Sequence, residues 1–99
     1  MPFSMIVEFT AAPGKQDELR RELLKLVAPT RAEEGCIKYD LHQDESNSNL
    51  FVFFEIWSSK AQHAAHDEST HVAHIRSVLP SLLEGSSVVR KLFLQQIEA

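Results

Sequence analysis

Leu50-Phe51-Val52-Phe53-Phe54-Glu55-Ile56-Trp57 is the stretch on which the fold of this chain turns. In an extended strand, alternate side chains face opposite sides. Phe51, Phe53, Glu55 and Trp57 therefore share one face, and Leu50, Val52, Phe54 and Ile56 share the other. Both faces are mainly apolar, which predicts a central strand in a sheet covered on both sides. Just before it, the polar run 44–49 predicts a turn. Residues 36–43 alternate as another strand, with Ile37, Tyr39 and Leu41 set against Cys36, Lys38, Asp40 and His42.

The pattern extends outward in both directions. Residues 3–10 read as a strand with Phe3, Met5, Val7 and Phe9 on one face, followed by a turn at Pro13-Gly14. Leu19, Leu23, Leu26, Val27 and Thr30 recur at helical spacing, with Asp17 and Glu18 at the dipole-favoured start. Pro29 is expected to kink that helix or end its first segment, and Gly35 to stop it. Beyond Trp57, Ser58 or Ser59 caps a short helix reaching about His66. A further helical stretch over 69–83 carries a stripe of His71 or Val72, Ile75, Val78, Leu79, Leu82 and Leu83, bent or split at Pro80. A turn at 85–87 leads to a last strand over 88–97.

Strand, helix, strand, strand, helices, strand is the split βαβ order of a ferredoxin-like α+β sandwich, here one domain over residues 1–99. Helices cover one sheet face. The other face is also apolar, with Ile6 and Phe54 on it, and a second copy of the chain packed sheet to sheet is its simplest cover. A homodimer is therefore expected.

Composition narrows the function classes. The 99 residues carry 10 Lys plus Arg against 14 Asp plus Glu, an acidic balance that argues against nucleic-acid binding. A single cysteine, Cys36, excludes an internal disulfide and a Cys-cluster zinc site. There is no membrane-spanning run and no secretory pattern at the N-terminus, so a cytoplasmic protein with a reduced thiol is expected.

Glu34-Gly35-Cys36-Ile37-Lys38-Tyr39, then Phe54-Glu55-Ile56-Trp57-Ser58-Ser59, then Ala61, His66, Ser69 and His71 form a recognisable succession. Together with the Pro13-Gly14 turn and the stretch from Arg31 to Cys36, it resembles the antibiotic biosynthesis monooxygenase (ABM) family, nearest its quinol monooxygenase-like proteins. The resemblance implies a dimeric α/β barrel with a pocket between sheet and helices in each subunit. It also implies a small aromatic substrate with dioxygen, and no cofactor. The family includes cofactor-free oxygenases of quinols and polycyclic phenols, haem-degrading enzymes and isomerases. The haem-degrading members use an Asn on the first strand, a Trp on the third and a His on the last helix. Trp57 matches, but Val7 stands at the first position and Arg76 near the third, with His74 half a turn away, so haem degradation is not expected.

Five histidines are the least usual feature. His63 and His66, and likewise His71 and His74, are three residues apart, a spacing that places each pair on one helix face. No zinc motif such as His-Glu-x-x-His accompanies them, and no metal is expected. The resemblance puts His66 and His71 at the pocket, where an imidazole could take a phenolic proton near neutral pH. His63 and His74 read as ordinary helix residues. Glu55, an acid in an apolar strand, is either a further base or the anchor of a loop or of an Arg such as Arg31. Trp57 offers a flat wall and one N–H, Tyr39 a hydroxyl, and Phe53 and Val7 apolar lining. Cys36 follows a helix C-terminus, where the dipole disfavours a thiolate.

Two functions from different classes fit these residues. One is cofactor-independent oxygenation of a quinol or polycyclic phenol, with an isomerase as its proton-transfer variant. The other is a non-catalytic dimer that holds a hydrophobic metabolite.

Overall fold

The computed structural model describes residues 1–85 and 90–98. The elements are β1 (Phe3–Thr10), α1 (Gln16–Leu24), α2 (Val27–Arg31), β2 (Cys36–Gln43), β3 (Leu50–Trp57), α3 (Lys60–Asp67), α4 (Thr70–Val78) and β4 (Arg90–Leu94). A 3-10 turn over Leu79–Ser81 follows α4. The sheet order is β2-β3-β1-β4, with every neighbouring pair antiparallel. That is the ferredoxin-like order, and it puts β3 and β1 at the centre, as the doubly apolar β3 requires.

Local chemistry sets the helix ends. The break between α1 and α2 falls at Lys25 and Leu26, one turn before Pro29, whose ring nitrogen has no hydrogen to give the carbonyl of Lys25. Gly35 has φ +88, a backbone conformation that glycine adopts without strain, and it turns the chain from α2 into β2. Ser59 caps α3 by accepting from the Gln62 N–H at 3.2 Å, and Ser69 caps α4 by accepting from the Val72 N–H at 3.3 Å. Pro80 ends the α-helical hydrogen bonding, so the expected 69–83 helix is α4 plus the 3-10 turn.

The two sheet faces separate as the alternation predicts. Met5, Val7, Phe9, Phe51, Phe53, Glu55 and Trp57 are buried beneath the helices, where they meet Leu19, Leu23, Val72, Ile75 and Leu82. On the open face, Leu92, Ile6 and Phe54 stand side by side across β4, β1 and β3, each half-buried.

Two expectations are corrected. A β-bulge between Cys36 and Lys38 breaks the alternation of β2. Ile37 is turned outward, 56% exposed, and Cys36 packs against the core in its place. The last strand is shorter at its C-terminal end than 88–97, since β4 stops at Leu94 and residues 95–98 form no strand. The first part of that expected strand, with Ser86 and Ser87 of the preceding turn, lies outside the described residues.

Candidate active site

Register builds the floor of a cavity. Phe93, Met5, Glu55 and Tyr39 lie in one row across β4, β1, β3 and β2, and Lys91, Val7, Phe53 and Leu41 in the next. The helices supply the roof: His63 and His66 from α3, Val72 and Ile75 from α4, and Leu79 behind them. The cavity, open on one side, has a volume of about 120 Å³. Asp67, Arg76 and Lys91 bring the charges, on the cavity's more exposed side.

The polar groups inside are few and specifically held. Glu55 is 3% exposed. Its Oε1 accepts from the Trp57 indole N–H at 2.8 Å. Burial pushes the Glu55 carboxyl up to about 7, although the Trp57 donor acts the other way. The imidazole of His66 lies against Trp57, with centroids 4.9 Å apart, and edge-on to Tyr39 at 5.6 Å. Its Nδ1 is 2.7 Å from Oε2 of Glu33. In the neutral ring, a hydrogen on Nδ1 donates to that oxygen and leaves Nε2 its lone pair. The same Glu33 oxygen is 2.9 Å from Nε2 of His71.

Val7, Tyr39, Phe53, Glu55 and His66, all singled out from the sequence, line the cavity together. Trp57 stands behind them, fully buried, and acts through its bond to Glu55 and its contact with His66. His71 is held on Glu33 rather than on the cavity. Arg31 does not pair with Glu55. Its Nε donates to the Tyr39 carbonyl at 3.1 Å and its guanidinium meets Asp40 at 2.9 Å, tying α2 to β2. Burial raises both the Tyr39 phenol and the Cys36 thiol, so neither is a ready anion.

Sequence reasoning missed two residues. His63, read as an ordinary helix residue, is 9% exposed and lines the cavity, edge-on to Phe3 and Trp57. Burial lowers its basicity and favours the neutral ring. Glu33 carried no signal of its own: its partners are 33 and 38 residues away, and only the folded chain brings them together. Glu33, His66 and His71 also form a set whose candidate ligand atoms lie within 4.8 Å of one another.

The raised carboxyl gives a pH test. The folded state holds the Glu55 proton more tightly than the unfolded state, whose value is near 4.5. This contribution to stability is complete below pH 4.5 and falls as pH rises to about 7, by about 3 kcal/mol in all. Urea unfolding at steps from pH 4.5 to 8 is expected to show the decline in the native protein and a flatter profile in Glu55→Gln. Parallel profiles would mean that Glu55 is ionised throughout.

A ferredoxin-like sheet with a cavity under its helices defines the class of fold. The family model described as antibiotic biosynthesis monooxygenase matches residues 2–77, and the chain belongs to that family. It is 34% identical over 82 residues to "Putative monooxygenase Rv0793" of Mycobacterium tuberculosis, covering 83% of this chain and 80% of that protein. It is 32% identical over 78 residues to sll1783 of Synechocystis, which covers 79% of this chain but only 53% of that protein, so it spans about half of that relative. The crystal structure of PA3566 from Pseudomonas aeruginosa superposes with a TM-score of 0.91 at 39% identity, covering 98% of this chain and 95% of that one. Among the described residues, no helix is long and apolar enough to cross a membrane.

Proposed function

We propose that this protein is a cofactor-independent monooxygenase acting on a quinol or a related phenol, with His66 as the base. The observation that carries the reading is the 2.7 Å contact of Glu33 with His66 Nδ1, at the wall of a largely apolar cavity. His66 Nε2 takes the phenolic proton. The resulting anion is electron-rich enough to give an electron to dioxygen directly. Overall, a quinol and dioxygen yield a hydroxyquinone and water. One oxygen atom enters the ring, the other leaves as water, and the ring supplies the electrons. The apolar walls keep water out, and Lys91 offers a positive charge toward the developing anion.

Oxygen uptake by metal-stripped protein with a panel of hydroquinones and polycyclic phenols tests this. Uptake that saturates with substrate and exceeds autoxidation is expected, and background uptake across the panel would remove the oxygenase reading. Glu55 favours a second reading. A carboxyl near 7 can carry a proton in either direction, which suits an isomerase in the same cavity. A proton-exchange assay on a non-oxidisable carbonyl analogue separates the two.

The functional unit we propose is a homodimer closed over the open sheet face. The Leu92, Ile6 and Phe54 row supports it, because an apolar band of this kind is costly in water. Phe54→Glu places a charge in the middle of that band. It is expected to give monomers in sedimentation velocity with the far-ultraviolet spectrum unchanged, and a persisting dimer would move the interface elsewhere.

A further inference from the structure

We infer that Glu33, His66 and His71 form a binding site for a borderline divalent transition metal such as zinc or cobalt, and that the metal switches off the base. The inference rests on the oxygenase reading for the second half only; the binding site stands on geometry. The three side chains come from the α2–β2 connection, from α3 and from the first turn of α4. All three converge on one point, with Glu33 Oε2 at 2.7 Å from His66 Nδ1 and 2.9 Å from His71 Nε2.

Two ligand atoms about 2.1 Å from a zinc ion are about 3.4 Å apart at the tetrahedral angle it prefers. The observed separations are hydrogen-bond lengths, about 0.5–0.7 Å shorter. The same side chains therefore hold either two protons or, moved slightly apart, one cation. Two imidazoles and one carboxylate suit zinc, cobalt or nickel better than calcium or magnesium. The rings are largely preset: His66 is buried against Trp57 and Tyr39, and Glu33 and His71 remain partly open for metal entry.

The regulatory consequence follows from the imidazole itself. With Glu33 accepting from Nδ1–H, Nε2 of His66 has a lone pair for a substrate proton. A metal on Nδ1 needs that nitrogen's lone pair, so in the neutral ring the hydrogen moves to Nε2. The nitrogen left to the cavity is then a donor and cannot take a proton. Metal and substrate deprotonation exclude each other at one ring.

Titration of the stripped protein with cobalt(II) chloride, followed by visible absorption, tests the site without substrate. One cobalt per chain with nitrogen-ligand bands, displaced by zinc, is expected. His71→Gln and Glu33→Gln are each expected to weaken binding by more than the roughly 10–100-fold lost with an outer-shell partner. His74→Ala, on the exposed Glu22 pair, is expected to leave the affinity unchanged. No cobalt band, or equal binding by the His71 and Glu33 variants, would overturn the site. Should those variants not fold, imidazole nitrogen NMR of the native protein decides: zinc must shift His66 Nδ1 and His71 Nε2, and an unchanged Nδ1–H would refute it. Zinc is further expected to reduce oxygen uptake toward background. Uptake that is unchanged or raised by bound zinc would overturn the switch. Absent uptake in the stripped protein would fail the oxygenase reading and leave the spectroscopic answer standing.

Discussion

His66→Ala is expected to lower turnover by about 10²–10⁴-fold, the usual contribution of a positioned general base. The ring is the imidazole at the cavity whose far nitrogen is held by a carboxylate, at 2.7 Å from Glu33. Removing it leaves the apolar walls, Glu55 and Lys91 in place, so substrate binding is expected to survive and the loss to fall on kcat. Glu33→Gln tests the same pair from the other end. It keeps an oxygen for Nδ1–H but removes the charge, and a smaller loss in kcat is expected. Oxygen uptake under saturating quinol gives both numbers, with the far-ultraviolet spectrum to report folding. A His66→Ala variant with near-native kcat would remove His66 from the chemistry and move the base to Glu55.

The second large effect is on stability. Trp57→Ala is expected to cost about 3–5 kcal/mol, as is usual for deleting a large aromatic core side chain. Trp57 is fully buried, lies against His66 and His63, and is the donor to Glu55. A domain of this size has about 5–15 kcal/mol in total and loses about 4–8 °C in midpoint per kcal/mol. Differential scanning calorimetry at pH 5 is therefore expected to show a fall of tens of degrees. Trp57→Phe weighs packing against hydrogen bonding: it keeps one six-membered ring and removes the rest of the indole with its N–H. Its expected cost is about 1–3 kcal/mol, larger at high pH, where the Glu55 carboxylate has lost its donor. A Trp57→Ala variant within about 1 kcal/mol of the native protein would contradict the packing described above.

How far the sequence reached depended on the range of each interaction. The strands were legible because alternation is local, and β3 showed its central place through two apolar faces. The helix breaks at Pro29 and Pro80 and the caps at Ser59 and Ser69 are equally short-range. The bulge at Cys36 was not legible, since one extra residue in β2 is set by its pairing with β3. In the candidate site, Val7, Tyr39, Phe53 and Glu55 could be named because their types are unusual or their face was known, and His66 through the family resemblance. Glu33 could not, because nothing within its own turn marks it among the neighbouring acids. His71 followed from the family resemblance, and its place beside Glu33 emerged only in three dimensions. His63 was judged by its helix alone, and its burial comes from Phe3, Trp57 and Phe93 on other elements.

The shared oxygen of Glu33 also acts as a mechanical rivet. It fastens the α3–α4 corner to the connection that enters β2. Any gap that admits a substrate must open where no such fastening exists. On the cavity's exposed side the fastening is looser: Arg76 donates to the Asp67 carbonyl at 2.9 Å and meets its carboxylate at 3.7 Å, beside Lys91. On the oxygenase reading proposed above, a substrate that enters there passes Arg76, Lys91 and the Asp67 carboxylate before it meets His66.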